Sequence, residues 1–315
     1  MMLKKLQKGD TIGLVAPSNY TDAEKEKLLN NAVKIVKGFG LGVKKGKYIT
    51  TKNKYGTSAG TPKERASDIN TMFADKNVKM IWCVQGGVTA NEVLDLIDYD
   101  LIKKNPKIFM GLSDNTVILN AINKKTGLIT FYGPDAKAGN KDEYFDSEYS
   151  HQEFKKRLMQ GETGEINKIS EWKCVREGKA KGKIFCGHLG CFLKLAGTKY
   201  WPDMNNSILI LEGYYSDIRT NQWRLAQLKQ IGVFDKISGI VIGLVLGFDK
   251  EQKLDASGKR VYFEDLVLDA TKEYDFPILK MNEFGHKCPC TILPIGGIAE
   301  LDAGNKSFKL EKCIN

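Results

Sequence analysis

Lys107-Ile108-Phe109-Met110-Gly111-Leu112-Ser113-Asp114-Asn115-Thr116 passes from an apolar run straight into a polar turn, and helical spacing begins at once in residues 117–123. A short run of apolar side chains without polar alternation suits a strand buried on both faces. The same order occurs upstream, where Val78-Lys79-Met80-Ile81-Trp82-Cys83-Val84 leads into Gln85-Gly86-Gly87 and then into Val93, Leu94, Leu96 and Ile97 at helical spacing. Two successive strand-turn-helix units predict parallel strands joined by crossover helices. Both turns then lie at the carboxyl edge of one sheet, where α/β proteins place their ligands. Working back toward the N-terminus, residues 11–16 predict a first strand, residues 23–37 a helix, and residues 62–74 a second helix opened by Pro62.

The second half is less regular. Residues 136–150 are polar without a period and predict a linker or lid. Strands are predicted over 182–186, over 207–211, which delivers Glu212, and over 239–246; helices are predicted over 189–196 and 219–231. A chain of 315 residues exceeds one ordinary core, so two domains with a cleft are expected. The expected fold class is α/β: a parallel-sheet domain carrying the Ser113 turn in residues 1–150, a linker over 151–170, and a β-rich α/β domain over 171–315.

Net charge is +10, but only six of the 48 basic residues are arginine and the lysines are spread along the chain. Nucleic-acid readers concentrate charge on one face and favour arginine at base edges, so no nucleic-acid partner is expected. The basic N-terminus reaches Gly9-Asp10 without an apolar stretch, and the run over 237–248 is interrupted by glycines and too short for a bilayer. A cytoplasmic protein without a membrane partner is the expectation. Seven cysteines, an odd number in largely apolar surroundings, predict reduced thiols.

Ser113 lies where strand becomes helix, so its hydroxyl is presented at the sheet edge beside free helix N–H groups. Two readings stand: a nucleophile on a sharp elbow, or a helix cap with Asp114 favouring the dipole. Under the first, the Asp114 N–H and the Gly86-Gly87 turn supply an oxyanion hole. Asn115 departs from the Gly-x-Ser-x-Gly pattern of such elbows. Three histidines are available as a base. His151 lies in a charged stretch and reads as a solvated side chain, His188 as a helix-start residue or ligand, and His286 as a loop residue at a domain edge. Glu212 closes the apolar run Ile208-Leu209-Ile210-Leu211, where a carboxylate either reaches solvent or requires a partner.

The sequence resembles the LD-carboxypeptidase family of serine peptidases, which includes the microcin C self-immunity peptidases. The likeness spans nearly the whole chain. It is carried by Gly9-Asp10-Thr11-Ile12-Gly13-Leu14-Val15-Ala16-Pro17-Ser18, Gly86-Gly87, Asn105-Pro106-Lys107-Ile108-Phe109-Met110-Gly111-Leu112-Ser113-Asp114, Phe131-Tyr132-Gly133-Pro134, Ile208-Leu209-Ile210-Leu211-Glu212, Phe284-Gly285-His286 and Leu293-Pro294-Ile295-Gly296. The resemblance implies a Ser113-Glu212-His286 triad, with oxyanion donors at Asp114, Gly86 and Gly87. It also implies an N-terminal flavodoxin-like domain, a homodimer, and no metal or organic cofactor. The substrate class it implies is a small peptide-like molecule losing its C-terminal group, either a murein tetrapeptide or a peptidyl-nucleotide.

Departures lie at Leu112, where the family has Tyr, at Gly187-His188-Leu189, where it has an Asn-bearing turn, and in Gly213-Tyr214-Tyr215-Ser216. Trp172 and Trp201 read either as nucleobase platforms or as core. The rival functions are a zinc-binding protein using the clusters at 186–191 and 286–290, although neither has Cys-x-x-Cys spacing, and a catalytically inert binding module of the same fold.

Overall fold

A computed structural model describes residues 3–139 and 144–315. Its first half contains strands β1 (Thr11–Val15), β2 (Gly42–Lys45), β3 (Val78–Cys83), β4 (Ile108–Gly111) and β5 (Thr130–Tyr132), in the order β2-β1-β3-β4-β5. Every pairing among them is parallel. This is the flavodoxin-like order. Strand β4 is wholly buried and β3 is buried except at Lys79, as their largely apolar sequences require.

The crossover helices start where local chemistry directs. In α1 (Ala23–Gly38) the Asp22 carboxylate accepts the Lys25 N–H, and in α2 (Pro62–Ala74) Thr61 and Glu64 cap each other's backbone. The stretch after the Gly86-Gly87 turn folds as a 3-10 helix over Ala90–Leu96 rather than an α-helix, and its first N–H is drawn away to the Asp114 carboxylate. A short helix α3 (Tyr99–Lys104) precedes β4, and α4 (Thr116–Thr126) ends on left-handed Gly127.

The second half adds β6 (Gly164–Glu165), β7 (Lys173–Arg176), β8 (Lys179–His188), β9 (Ser207–Gly213) and β10 (Ile237–Val245). A small ribbon of β11 (Lys253–Leu254) and β12 (Arg260–Val261) is followed by β13 (Ile278–Gly285), β14 (Leu293–Ile295), β15 (Ile298–Asp302) and β16 (Ser307–Leu310). Strands β8, β9, β10 and β13 are parallel neighbours. Strand β14 lies antiparallel to β5 and parallel to β8, so the sheets of the two halves run into one path. Across the join the Tyr132 hydroxyl at the end of β5 donates to Glu212 of β9, and the His188 N–H at the end of β8 donates to Thr116 Oγ1 at the start of α4, so these ends meet.

Of the segment read as a linker or lid, residues 140–143 lie outside the described residues, and Glu148–Phe154 forms helix α5. His151 is not the solvated side chain its polar neighbours suggested. Its ring packs edge-on against Phe145 and Phe39, and its Nε2 lies 2.8 Å from the Phe145 carbonyl oxygen. Trp172 is core, its indole N–H donating 2.8 Å to Glu283 Oε2; Trp201 tilts against Phe192. Among the described residues no helix is long and apolar enough to cross a membrane.

Glu283 ties the segment before β7 to β13. Its Oε1 accepts from Ile169 N–H (2.9 Å), Ser170 N–H (2.8 Å) and the Ser170 hydroxyl (2.9 Å), and its side chain is fully buried. Glu283→Ala leaves these donors and the Trp172 indole without an acceptor. The expected loss is about 3–4 kcal/mol, on the order of two hydrogen bonds to a charged group. A urea titration read by tryptophan fluorescence checks it, with Glu283→Gln falling between wild type and Ala.

Candidate active site

Ser113 follows β4 with φ +60°, a left-handed conformation that costs a non-glycine residue energy and turns the chain sharply. Its side chain caps neither the 3-10 turn Ser113–Asn115 nor α4. Among the described residues the Ser113 hydroxyl has no hydrogen-bond partner. The cap reading of this serine therefore fails. Asn115 explains the departure from the glycine pattern: buried, it donates to the carbonyl oxygens of Gln85 (3.2 Å) and Leu112 (3.0 Å), fastening the two turns together. It needs Gly111 for this, since a Cβ at Gly111 would stand 2.8 Å from the Asn115 Cβ. Gly86 lies against the serine in the same way, a Cβ there falling 2.7 Å from Ser113 Cβ and 3.1 Å from Asp114 N.

Glu212 is buried in β9 beside His188 of β8, to which it is registered. Its two oxygens have separate partners. The His286 Nδ1 lies 2.7 Å from Oε2, and the Tyr132 hydroxyl donates to Oε1 at 2.5 Å. Tyr132 ends β5, and its oxygen accepts the Ser113 N–H at 3.3 Å. A continuous chain of contacts thus runs from the Ser113 backbone through Tyr132 and Glu212 to His286.

Burial opposes the Glu212 charge, but the neighbouring His286 and His188 rings and its two hydrogen bonds hold the carboxyl below its ordinary value. A carboxylate at Nδ1 fixes the proton there and leaves Nε2 as the basic nitrogen. Burial and then Glu212 raise the Tyr132 phenol well above its ordinary value, so it stays a donor.

His188, one of the positions read from the sequence as a departure, closes β8 and is buried. Burial holds it down to about 4, so the ring is neutral at neutral pH. Its Nδ1 and Nε2 each lie 3.2 Å from a backbone N–H, of Cys191 and Tyr214, and a neutral ring accepts from one at a time. The ring also stands edge-on to His286 at 5.6 Å. Tyr214 tilts over His286 at 4.8 Å, with Tyr215 beside it at 4.9 Å, and both tyrosines are substantially exposed. Leu112, the other departure, is buried in the core.

Of the residues expected at the site, Gly86, Gly87, Ser113 and Asp114 lie in the neighbouring turns after β3 and β4, and Glu212 and His286 are paired at the ends of β9 and β13; Tyr132 touches both groups, and among the described residues no hydrogen bond joins Ser113 to His286. Tyr132, Ser18, Asp135 and Lys194 were not singled out as site residues. For Tyr132 a signal existed: it ends the third of three consecutive parallel strands whose carboxyl ends form one edge. Asp135 is buried, and burial pushes its carboxyl up against the pull of Lys137, whose Nζ is 3.7 Å away, and of His286.

The zinc alternative relied on two Cys/His clusters. Among the described residues no group of three or more His, Cys, Asp or Glu side chains is gathered for a metal; the side chain of Cys186 lies outside that description. Cys288 and Cys290 are buried free thiols 3.9 Å apart, and Cys290 Sγ donates to the Gly285 carbonyl oxygen at 3.4 Å.

Residues 12–133 match the LD-carboxypeptidase N-terminal domain and residues 181–301 the LD-carboxypeptidase C-terminal domain. A Bacillus subtilis (strain 168) protein named "Probable murein peptide carboxypeptidase" is 31% identical over 314 residues, covering 99% of this chain and 95% of the relative. The Escherichia coli "Microcin C7 self-immunity protein MccF" is 28% identical over 336 residues, covering 98% and 95%. A solved structure of MccF in complex with aspartyl sulfamoyl adenosine superposes with a TM-score of 0.89 at 26% identity over 100% of both chains. With both family domains present in order and a relative aligned end to end, the chain belongs to the LD-carboxypeptidase family and is a serine-type carboxypeptidase.

Proposed function

We propose that the reaction runs through Ser113 as nucleophile, His286 as general base and Glu212 as the group that orients the imidazole. The observation that carries this reading is the Glu212 carboxylate, shared between His286 and the Tyr132 phenol that touches the Ser113 backbone. In it, His286 Nε2 takes the Ser113 proton as Oγ bonds to the scissile carbonyl carbon. The carbonyl oxygen gains negative charge facing the Asp114 N–H and the Gly86-Gly87 turn. Collapse breaks the C–N bond, His286 returns its proton to the leaving amine, and water activated by the same imidazole releases the acyl group.

The left-handed Ser113 with its unbonded hydroxyl supports the nucleophile role, because strain of this kind clusters where function requires it. Division of labour follows the halves proposed from sequence: residues 1–150 carry the nucleophile, residues 171–315 the acid and base, with 151–170 between them.

The substrate is a small peptide-like molecule that loses a C-terminal group. The 31% identical relative named for murein peptides supports a murein tetrapeptide, and the aspartyl sulfamoyl adenosine complex of MccF supports a peptidyl-nucleotide. Exposed Tyr214 and Tyr215 beside His286 suit the flat ring of the second. Incubation with both substrate types and mass spectrometry of the products separates them. The family likeness supports a homodimer, which sedimentation tests, and free thiols at Cys83, Cys174, Cys191, Cys288, Cys290 and Cys313 suit a reducing cytoplasm.

Ser113→Ala is expected to lower kcat/KM at least about 10³-fold and to abolish labelling by a fluorophosphonate. Full turnover by this variant sinks the mechanism.

Tyr132→Phe removes the donor from Glu212 Oε1 and the acceptor for the Ser113 N–H. Losing a hydrogen bond to a charged group, worth about 1.5–3 kcal/mol, predicts a fall in kcat of about 10- to 100-fold. Steady-state kinetics on the cleaved substrate measure it.

Because the Glu212 pKa is lower in the folded protein than its ordinary 4.5, this carboxylate stabilises the fold fully above that value. The contribution is lost as pH falls through the depressed value. The advantage in Tm of wild type over Glu212→Gln is therefore expected to be constant near neutrality and to close below pH 4.5; a gap that widens on acidification contradicts the assignment.

A further inference from the structure

Asp114 follows the proposed nucleophile and is completely buried, and its carboxylate is saturated with donors. Its Oδ2 accepts from the Ser18 hydroxyl at 2.7 Å and from the Ala90 N–H at 2.8 Å. The Ser18 oxygen in turn accepts the Thr89 N–H at 3.1 Å. Its Oδ1 accepts from Lys194 Nζ at 2.6 Å, and the same ammonium donates to the Val88 carbonyl oxygen at 2.8 Å. Residues 88, 89 and 90, which follow the Gly86-Gly87 turn without a break, are thus each tied to Asp114, directly or through one intermediary.

Lys194 belongs to the other half of the chain, in the 3-10 turn Leu193–Leu195 that follows β8 and the short helix α6 (Leu189–Phe192). Its side chain is 27% exposed, and its carboxylate partner is not exposed at all. An ammonium held this far out of water against a buried carboxylate is tightly restrained.

The two turns it joins are those that would supply the oxyanion donors, and they already touch. Donors of this kind act only when aimed at the position the oxyanion will occupy, and misplacement by about 1 Å costs on the order of 10²-fold in rate. We propose that Lys194 is a positioning residue: by gripping Asp114 and the Val88 carbonyl at once, it sets the separation of the Ser113-Asp114 and Gly86-Gly87 turns and so shapes the oxyanion hole. Lys194 itself touches neither substrate nor reacting atoms. The inference rests on the serine mechanism proposed above and makes the hole dependent on docking of the C-terminal half.

A second ion pair provides the control. Lys199 Nζ lies 2.7 Å from Asp95 Oδ1 and also links the two halves, but both side chains are mostly exposed. If Lys194 merely helps the halves adhere, removing either lysine has similar consequences.

The full chain is made as wild type, Lys194→Met, Lys194→Gln, Lys194→Arg and Lys199→Met, with rates normalised to folded protein by circular dichroism. The readouts are kcat, KM and the second-order rate of Ser113 labelling by a fluorophosphonate, whose phosphoryl oxygen needs the same donors. Lys194→Met is expected to lower kcat and the labelling rate together by about 30- to 100-fold while KM stays within about threefold, the signature of an interaction made only in the transition state. Lys194→Arg, which keeps the charge, is expected to recover most of the loss, and Lys199→Met to match wild type within about twofold. Should Lys194→Met not fold, Lys194→Gln, which keeps an N–H donor, carries the same expectation at about tenfold.

Wild-type labelling in folded Lys194→Met or, in its place, Lys194→Gln overturns the inference. So does a loss expressed mainly in KM, or an equal loss in Lys199→Met. If wild-type protein takes no label at Ser113, the serine mechanism itself falls and this inference with it.

Discussion

A carboxylate placed at the end of an interior strand is the constraint on which the site depends. Glu212 is surrounded by the core on β9, where an unpaired charge would cost several kcal/mol, so each of its oxygens must be given a donor. One donor comes from β5 in the first half of the chain, the other from the loop after β13 in the second. Neither donor is a sequence neighbour. Satisfying this carboxylate therefore requires the sheet to be continuous through β5, β14 and β8, and that continuity sets His286 on one oxygen of the acid and Tyr132, which accepts the Ser113 N–H, on the other.

Asp114 mirrors this arrangement. It is the buried carboxylate of the first half and takes a donor, Lys194, from the second; Glu212 is the buried carboxylate of the second half and takes a donor, Tyr132, from the first. Each half thus carries a charge that only the other can fully satisfy. Buried charges satisfied in this way add little net stability compared with apolar packing, but a mis-docked arrangement leaves two of them short of partners, which is costly. Their effect is to make one relative placement of the halves much better than its neighbours.

The sequence disclosed what is local. Unbroken apolar runs followed by glycine or serine turns predicted the parallel first half, and Pro62 with its flanking cap marked the start of α2. Glu212 was legible because a carboxylate after four apolar residues poses an energetic problem visible in one line of sequence. Its solution was not legible, because Tyr132 is eighty positions away and reads as one more aromatic strand residue. His151 failed for a related reason: its immediate neighbours are polar, but the rings that enclose it, Phe39 and Phe145, are brought there by the fold. The left-handed backbone of Ser113 is likewise invisible in a residue type that ordinarily avoids it.

The positions read from the sequence as departures from the family pattern divide between the core and the surroundings of His286. Leu112 faces the core, so a change there is absorbed by packing. His188 and Tyr214 instead border His286, with Tyr215 against Tyr214, and they are coupled, since the His188 Nε2 lies 3.2 Å from the Tyr214 backbone N–H. A histidine at 188 can anchor the loop after β9, and the anchored loop lays an aromatic ring against the imidazole. In the proposed mechanism the chemistry lies on strand ends fixed in the shared sheet, whereas the aromatic surface beside His286 lies on a loop tied down by side chains, His188 at Tyr214 and Asn221 at Ser216. Exchange at position 188 would move that loop while leaving both hydrogen bonds of Glu212 in place, although it would remove one of the rings that favour the carboxylate.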